Sequence, residues 1–99
     1  MKTQSERIAL VNDGDIGLLS SAIYNPPNSF HAVRALISVF AYGMFRVDGI
    51  DPSATEGHPV SNGSMIILDS PEEIDRFRIM QNGSEALALF VTYFFEASK

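Results

Sequence analysis

The chain has 99 residues, with 7 basic and 12 acidic side chains and a formal net charge of -5. This length accommodates one hydrophobic core, so we expect a single domain over residues 1–99, with 1–15 loosely ordered. Hydrophobic residues make up 45% of the chain and charged residues 19%, which excludes disorder along its whole length. The absence of cysteine excludes disulfide scaffolds and thiolate zinc sites. The acidic balance argues against direct nucleic-acid binding.

Apolar runs near the N-terminus are too short for secretion or membrane insertion. A secretory signal needs at least about seven apolar residues in a row, and the run at 8–11 is shorter than that. Its secondary structure stays open between helix and strand. No window of the sequence reaches the roughly 18 apolar residues of a membrane span. We therefore expect a cytoplasmic protein without membrane contact.

Helical signals dominate the first half of the chain. Asp15 is a candidate N-cap for a helix over 16–24, which the Pro26 region ends. Ser29 is a candidate cap for a longer helix that runs to about residue 46. One face of that helix would carry apolar residues at helical spacing: Phe30, Val33, Ile37, Phe40 and Met44. Because a second apolar stripe lies beside the first, we expect this helix to be central.

Turn residues divide the second half of the chain. Residues 47–63 are rich in Gly, Pro, Asp and Ser and predict a loop. Asn62-Gly63 followed by a β-prone run predicts a short hairpin over 58–68. Ser70, Pro71 and Glu73 form a capping-box pattern, which predicts the start of a short helix.

The C-terminal segment is nearly continuous in apolar residues and predicts a helix over 85–97. An alternative is a second hairpin about Asn82-Gly83, pairing 77–81 with 85–89. The fold class expected is therefore α+β and mostly helical, with about four helices and a short β-hairpin packed beside the central hydrophobic helix. A terminal helix this apolar needs cover on more than one side, which points to an interface.

Motifs for catalysis are missing from the sequence. It contains no G-x-S-x-G elbow, Walker loop or dinucleotide fingerprint. We expect no catalytic residues, no cofactor and no resident metal. One alternative keeps an enzyme or a ligand-binding protein open: four loop residues could hold a divalent ion at a dimer pocket, with His31 assisting, namely Asp48, Asp51, Glu56 and His58.

The function expected is that of a non-catalytic, acidic regulatory protein. It would form a homodimer and bind another protein, such as a transcriptional regulator, which it sequesters or inhibits. Interfaces are enriched in aromatic residues and Met at their centres. The interface residues we predict are Phe90, Tyr93 and Phe94, with a second contact patch at Val39 and Gly43.

Overall fold

The structure is a computed structural model, and it describes residues 2–26 and 31–95. Eight strands and two short helices follow one another within these residues. In chain order they are β1 Lys2–Leu10, β2 Ile16–Leu18, α1 Ser21–Tyr24, β3 Ala32–Phe40, β4 Gly43–Arg46, β5 His58–Val60, β6 Met65–Leu68, α2 Pro71–Arg76, β7 Arg78–Gln81 and β8 Leu87–Phe95.

The strands form two antiparallel sheets of four strands each. Sheet A has the order β1-β8-β3-β6, and sheet B has the order β2-β7-β4-β5. Four of the pairings join strands placed symmetrically about the loop between β4 and β5, namely β1 with β8, β2 with β7, β3 with β6 and β4 with β5. The chain is thus a long antiparallel ribbon, folded back after β4 and rolled into two sheets. This is the topology of a jelly roll.

The mostly helical fold that the sequence predicts is wrong. Strands take up 50% of the described residues and helices only 11%. The expected central helix is β3 and β4, with its first residues outside those described. The expected C-terminal helix is β8, with its last residues outside those described, and the expected helix at 16–24 is divided between β2 and α1.

Alternating burial explains why these segments are strands. Along β8, Leu87, Leu89 and Val91 are buried, while Phe90 between them is exposed. This period of two is the signature of a strand. β-Branched and aromatic residues, which are abundant in both segments, also favour a pleated sheet. The alternation is hidden in the sequence because apolar residues also occupy the other face of sheet A.

The predicted hairpin over 58–68 is also wrong, although its turn does form. The amide of Ser64 donates to the carbonyl of Ser61 at 2.9 Å, but β5 and β6 belong to different sheets. The amide of Val39 on β3 donates to Ser64 at 2.9 Å, so the chain leaving the turn pairs with β3. The alternative hairpin about Asn82-Gly83 fails similarly, because β7 lies in sheet B and β8 in sheet A.

The capping box before α2 is confirmed. The side chain of Ser70 accepts a hydrogen bond from the amide of Glu73 at 3.2 Å, and Pro71 occupies the first helical turn. The Glu73 carboxylate in turn accepts from the amide of Asp69 at 2.8 Å. Local signals suffice here because every partner lies within four residues.

The core lies between the two sheets and is closed at one corner by Gly43. A Cβ atom at this position would lie 2.8 Å from the carbonyl oxygen of Met80 on β7 and 3.0 Å from the Leu87 side chain on β8. Glycine therefore lets sheet B approach sheet A closely. Among the described residues, no helix has the length and apolar character needed to cross a membrane.

Candidate interaction surface

The two faces of sheet A differ in what covers them. Its inner face packs into the core, where Ile37, Val39, Val91 and Tyr93 are all 0% exposed. On its outer face, the strand register places the side chains in four rows that run across the sheet. From β1 towards β6 the rows are Thr3–Phe94–Arg34, Ser5–Thr92–Leu36–Ile67, Arg7–Phe90–Ser38–Met65 and Ala9–Ala88–Phe40.

Six of the fourteen side chains in these rows are large and apolar. We call this outer face the open face and define it by Leu36, Phe40, Met65, Ile67, Phe90 and Phe94. Phe40 is 51% exposed, Met65 63%, Ile67 59% and Phe90 47%. Large side chains exposed singly are ordinary on a protein surface, but a contiguous apolar patch is characteristic of an interaction site.

The charges on the open face are few and lie near its edges. Arg7 lies on the edge strand β1. Arg34 lies near the start of β3, where it forms an ion pair with Asp69 at 3.2 Å. The described residues of this face thus bring no unpaired carboxylate to the apolar patch, although the whole chain carries a net charge of -5. Covering it with another surface would therefore desolvate little negative charge.

A hollow of about 490 Å³ opens on this face. Its lining combines the small Ala88 with larger neighbours on the same strand, Leu89 and Phe90, and on the adjacent strands, Arg7 and Phe40. Because Ala88 has only a methyl group, it leaves space next to Phe40, its neighbour on β3, and Phe90, two residues further along β8. The hollow can accept an apolar side chain from another molecule.

Two of the five interface residues predicted from sequence lie on the open face. Phe90 is exposed there, and Phe94 is partly buried next to the last described residue of β8. The structure places Val39 and Tyr93 on the inner face of the same sheet, within the core. Gly43 is buried at the corner between the sheets.

Four further members of the open face are absent from the interface residues that the sequence predicts. Leu36 and Phe40 fall on the apolar stripes of the predicted central helix, and Met65 and Ile67 on the predicted hairpin strand. A period of two was present in the run 35–40, where small or branched residues alternate with Leu36, Ser38 and Phe40. Which of the two sets is covered depends on sheet B, so the pattern alone does not identify the exposed side.

A polar cluster on the inner side fixes β1 to the segment before α1. The Glu6 carboxylate accepts hydrogen bonds from the Ser20 hydroxyl at 2.7 Å, from the Ser20 amide at 3.1 Å and from the Tyr93 hydroxyl. Burial raises the pKa of the Tyr93 hydroxyl above its usual range, and the adjacent Glu6 carboxylate raises it further. The hydroxyl is therefore held as a hydrogen-bond donor.

A second tyrosine lies next to this cluster. The rings of Tyr24 and Tyr93 are 6.0 Å apart, and the Tyr24 hydroxyl donates to Asp75 on α2 at 3.1 Å. Burial and the Asp75 carboxylate both raise the pKa of Tyr24. Tyr24, Asp75 and His31 line a cavity of about 360 Å³ near the end of the sandwich. His31 thus lies near Asp75 and away from the acidic loop that it was predicted to assist.

The acidic loop after β4 uses its carboxylates in ion pairs. Asp48 accepts from the Arg46 guanidinium at 3.0 Å, and this hydrogen bond lowers the pKa of Asp48. Asp51 accepts from Arg78 at 2.6 Å. The ring of His58 stacks near Phe45 at 5.2 Å. The part of the chain that the structure describes contains no grouping of three or more His, Cys, Asp or Glu residues placed to hold a metal ion.

Comparisons with protein-family models, with curated proteins and with solved structures found no match. The function is therefore inferred from the surface of the molecule. Its strongest feature is the open face of sheet A, whose large apolar side chains lie in neighbouring rows on paired strands.

Proposed function

We propose that this chain is a non-catalytic interaction protein of the cytoplasm that self-associates through the open face of sheet A. The observation that carries the proposal is the contiguous patch around Phe40, Met65, Ile67 and Phe90, each of which stays about half exposed or more. Aromatic residues, Met and Arg are the residue types enriched at protein interfaces. A face built on four paired strands is rigid, so association costs little conformational entropy.

The same proposal includes a regulatory partner. A regulator that binds the open face would displace the second copy, because both occupants use the same apolar patch. The chain would then sequester or inhibit that regulator, for which a transcriptional regulator is the candidate. The acidic charge outside the face supports this role, since it keeps the free protein soluble and limits non-specific association.

The test is the mass of the protein in solution, measured by light scattering after size exclusion over a range of concentrations. We expect a concentration-dependent dimer. Phe90→Asp places a charge at the centre of the patch and is expected to leave a monomer at every concentration. Phe94→Asp is expected to have the same effect but weaker, because Phe94 is already partly buried within its own chain.

The matched control is Ile50→Asp, which makes the same change at a residue that is 55% exposed in the acidic loop, away from the open face. This variant should dimerise as the parent does. A monomeric parent, or a Phe90→Asp variant that dimerises normally, would contradict the proposal. Far-UV circular dichroism of each variant confirms that the chain is folded.

A further inference from the structure

Large and small side chains alternate on the two central strands of the open face. Phe40 on β3 lies beside Ala88 on β8 in the last row, and Ser38 lies beside Phe90 in the row before it. Leu36 lies beside Thr92 in the row before that. In each of these rows a large side chain on one strand lies beside a smaller one on the other. The large side chain lies on β3 at Leu36 and Phe40 and on β8 at Phe90, so it alternates between the two strands from row to row.

From this pattern we propose that the occupant of the open face is a second copy of this chain, packed face to face about a twofold axis that runs parallel to the strands, between β3 and β8. This inference depends on the proposed function and specifies its geometry. The axis exchanges the two strands, so that Phe40 of each copy lies above Ala88 of its partner and enters the hollow there. Phe90 of each copy likewise lies above the partner's Ser38.

The size of the face agrees with a weak dimer. With strands about 4.8 Å apart and residues about 3.4 Å apart along them, the four rows cover roughly 19 by 25 Å, or about 500 Å². A standard stable interface buries about 800 Å² on each partner. Two such faces are therefore enough for association at the small end of known interfaces, with a dissociation constant on the order of micromolar.

The charge of Arg7 favours this axis over a twofold axis that runs across the strands, since the other arginine of the described face, Arg34, is paired with Asp69. Arg7 lies on the edge strand β1, and the parallel axis places β1 of one copy over β6 of the other. The two Arg7 side chains are then separated by the width of the sheet, roughly 14 Å, which exceeds the screening length of physiological salt. An axis across the strands would bring both Arg7 side chains to the same edge of the dimer, where they repel each other.

Side-chain exposure favours the same choice. An axis across the strands, centred on the face, would place Phe94 in the hollow above the partner's Ala88. Phe94 is already partly buried against its own neighbours, whereas Phe40 is 51% exposed and free to insert. The axis parallel to the strands therefore brings the more exposed of the two rings, that of Phe40, to the partner's hollow.

The test uses two variants that exchange the large and the small side chain of the contact between Phe40 and Ala88. Ala88→Phe fills the hollow, so two Ala88→Phe chains collide with each other's Phe40. Phe40→Ala removes the inserting ring, so two Phe40→Ala chains leave both hollows empty. We expect each variant alone to dimerise about tenfold more weakly than the parent, the size of effect that overpacking or an emptied contact produces.

An equimolar mixture of the two variants should restore the fit. In a mixed dimer, the ring introduced at position 88 of one chain meets the methyl group left at position 40 of the other. The original Phe40 and Ala88 meet at the second contact. Native mass spectrometry separates the three dimers, because the substitutions change the mass in opposite directions. We expect the mixed dimer to exceed by severalfold the share that random pairing gives, and to bind about as tightly as the parent.

Two results would overturn the inference and leave the proposed function intact. One is a parent dimer that Phe90→Asp dissociates, with random pairing of the two variants. The other is enrichment of the mixed dimer when Phe94→Ala replaces Phe40→Ala, which would establish the axis across the strands. A parent that stays monomeric at all concentrations would instead contradict both the inference and the self-association on which it depends.

Discussion

The two faces of sheet A show how the same residue types serve two purposes. On the inner face, apolar side chains are covered by sheet B and are essentially unexposed. On the outer face, side chains of the same kind and from the same strands remain about half exposed. The area removed from water within one copy stabilises the fold. The area left exposed is available for binding, so the two faces should respond differently to substitution.

The largest difference is expected between two neighbours on β8. Leu89→Ala removes a side chain that is 1% exposed and leaves a cavity, so we expect the free energy of unfolding to fall by about 2–5 kcal/mol. Phe90→Ala removes a side chain that is 47% exposed and should lower it by less than about 1 kcal/mol. Urea unfolding at the lowest usable protein concentration measures both. Equal losses would mean that the outer face also supports the monomer.

A smaller difference is expected when carbon atoms are added rather than removed. Gly43→Ala brings a Cβ atom to 2.8 Å from the Met80 carbonyl oxygen and should destabilise the fold by about 1–3 kcal/mol. Ala88→Val adds carbon atoms that enter the hollow of the open face, so the free energy of unfolding should change little. Thermal unfolding of both variants measures the contrast. A Gly43→Ala variant as stable as the parent would show that the β7 backbone and the Leu87 side chain can shift here without cost.

The sequence predicts elements whose partners are local and fails where partners are distant. The capping box at Ser70 was predicted correctly, because Pro71 and Glu73 complete it within one turn of helix. The strand β3 pairs with β8, which is distant in the chain: Phe40 pairs with Ala88, 48 positions away, and Ala32 with Phe95, 63 positions away. Strand structure depends on such distant partners, so local periodicity could not reveal it.

The candidate site follows the same rule. An excess of apolar residues in two segments was visible in the sequence, and Phe90 and Phe94 were chosen from it. Val39 and Tyr93 were chosen from the same segments, but they point to the opposite side of sheet A. Helical spacing groups residues three and four apart, whereas a strand groups residues two apart. The wrong period therefore combined residues of both faces into one predicted surface.

The polar cluster on the inner side of sheet A should make the stability of the fold depend on pH, which the apolar open face does not. Because the pKa of Tyr93 is raised above its value in the unfolded chain, the protonated hydroxyl stabilises the fold below about pH 10. This contribution is lost as the pH rises through and above about 10. Tyr93→Phe should cost about 1 kcal/mol at neutral pH and weaken the alkaline decline, because it removes the hydrogen bond to Glu6.

The matched control for this prediction is Tyr42→Phe, since Tyr42 is 53% exposed and lies outside the cluster. It should leave both the stability at neutral pH and the alkaline decline as they are in the parent. Urea unfolding between pH 7 and pH 11 measures all three proteins. An unchanged alkaline decline in Tyr93→Phe would show that another group titrates.

The smallest effect is expected for the ion pair at the rim of the open face. The side chains of Arg34 and Asp69 are 62% and 67% exposed, so water and salt screen their attraction. Arg34→Ala and Asp69→Asn should each change the free energy of unfolding by no more than about 0.5 kcal/mol, and less at high salt. A loss above about 1 kcal/mol would mean that contacts on the outer face hold the monomer together, because an exposed pair alone cannot supply that much. The separation of roles between the two faces of sheet A would then be wrong.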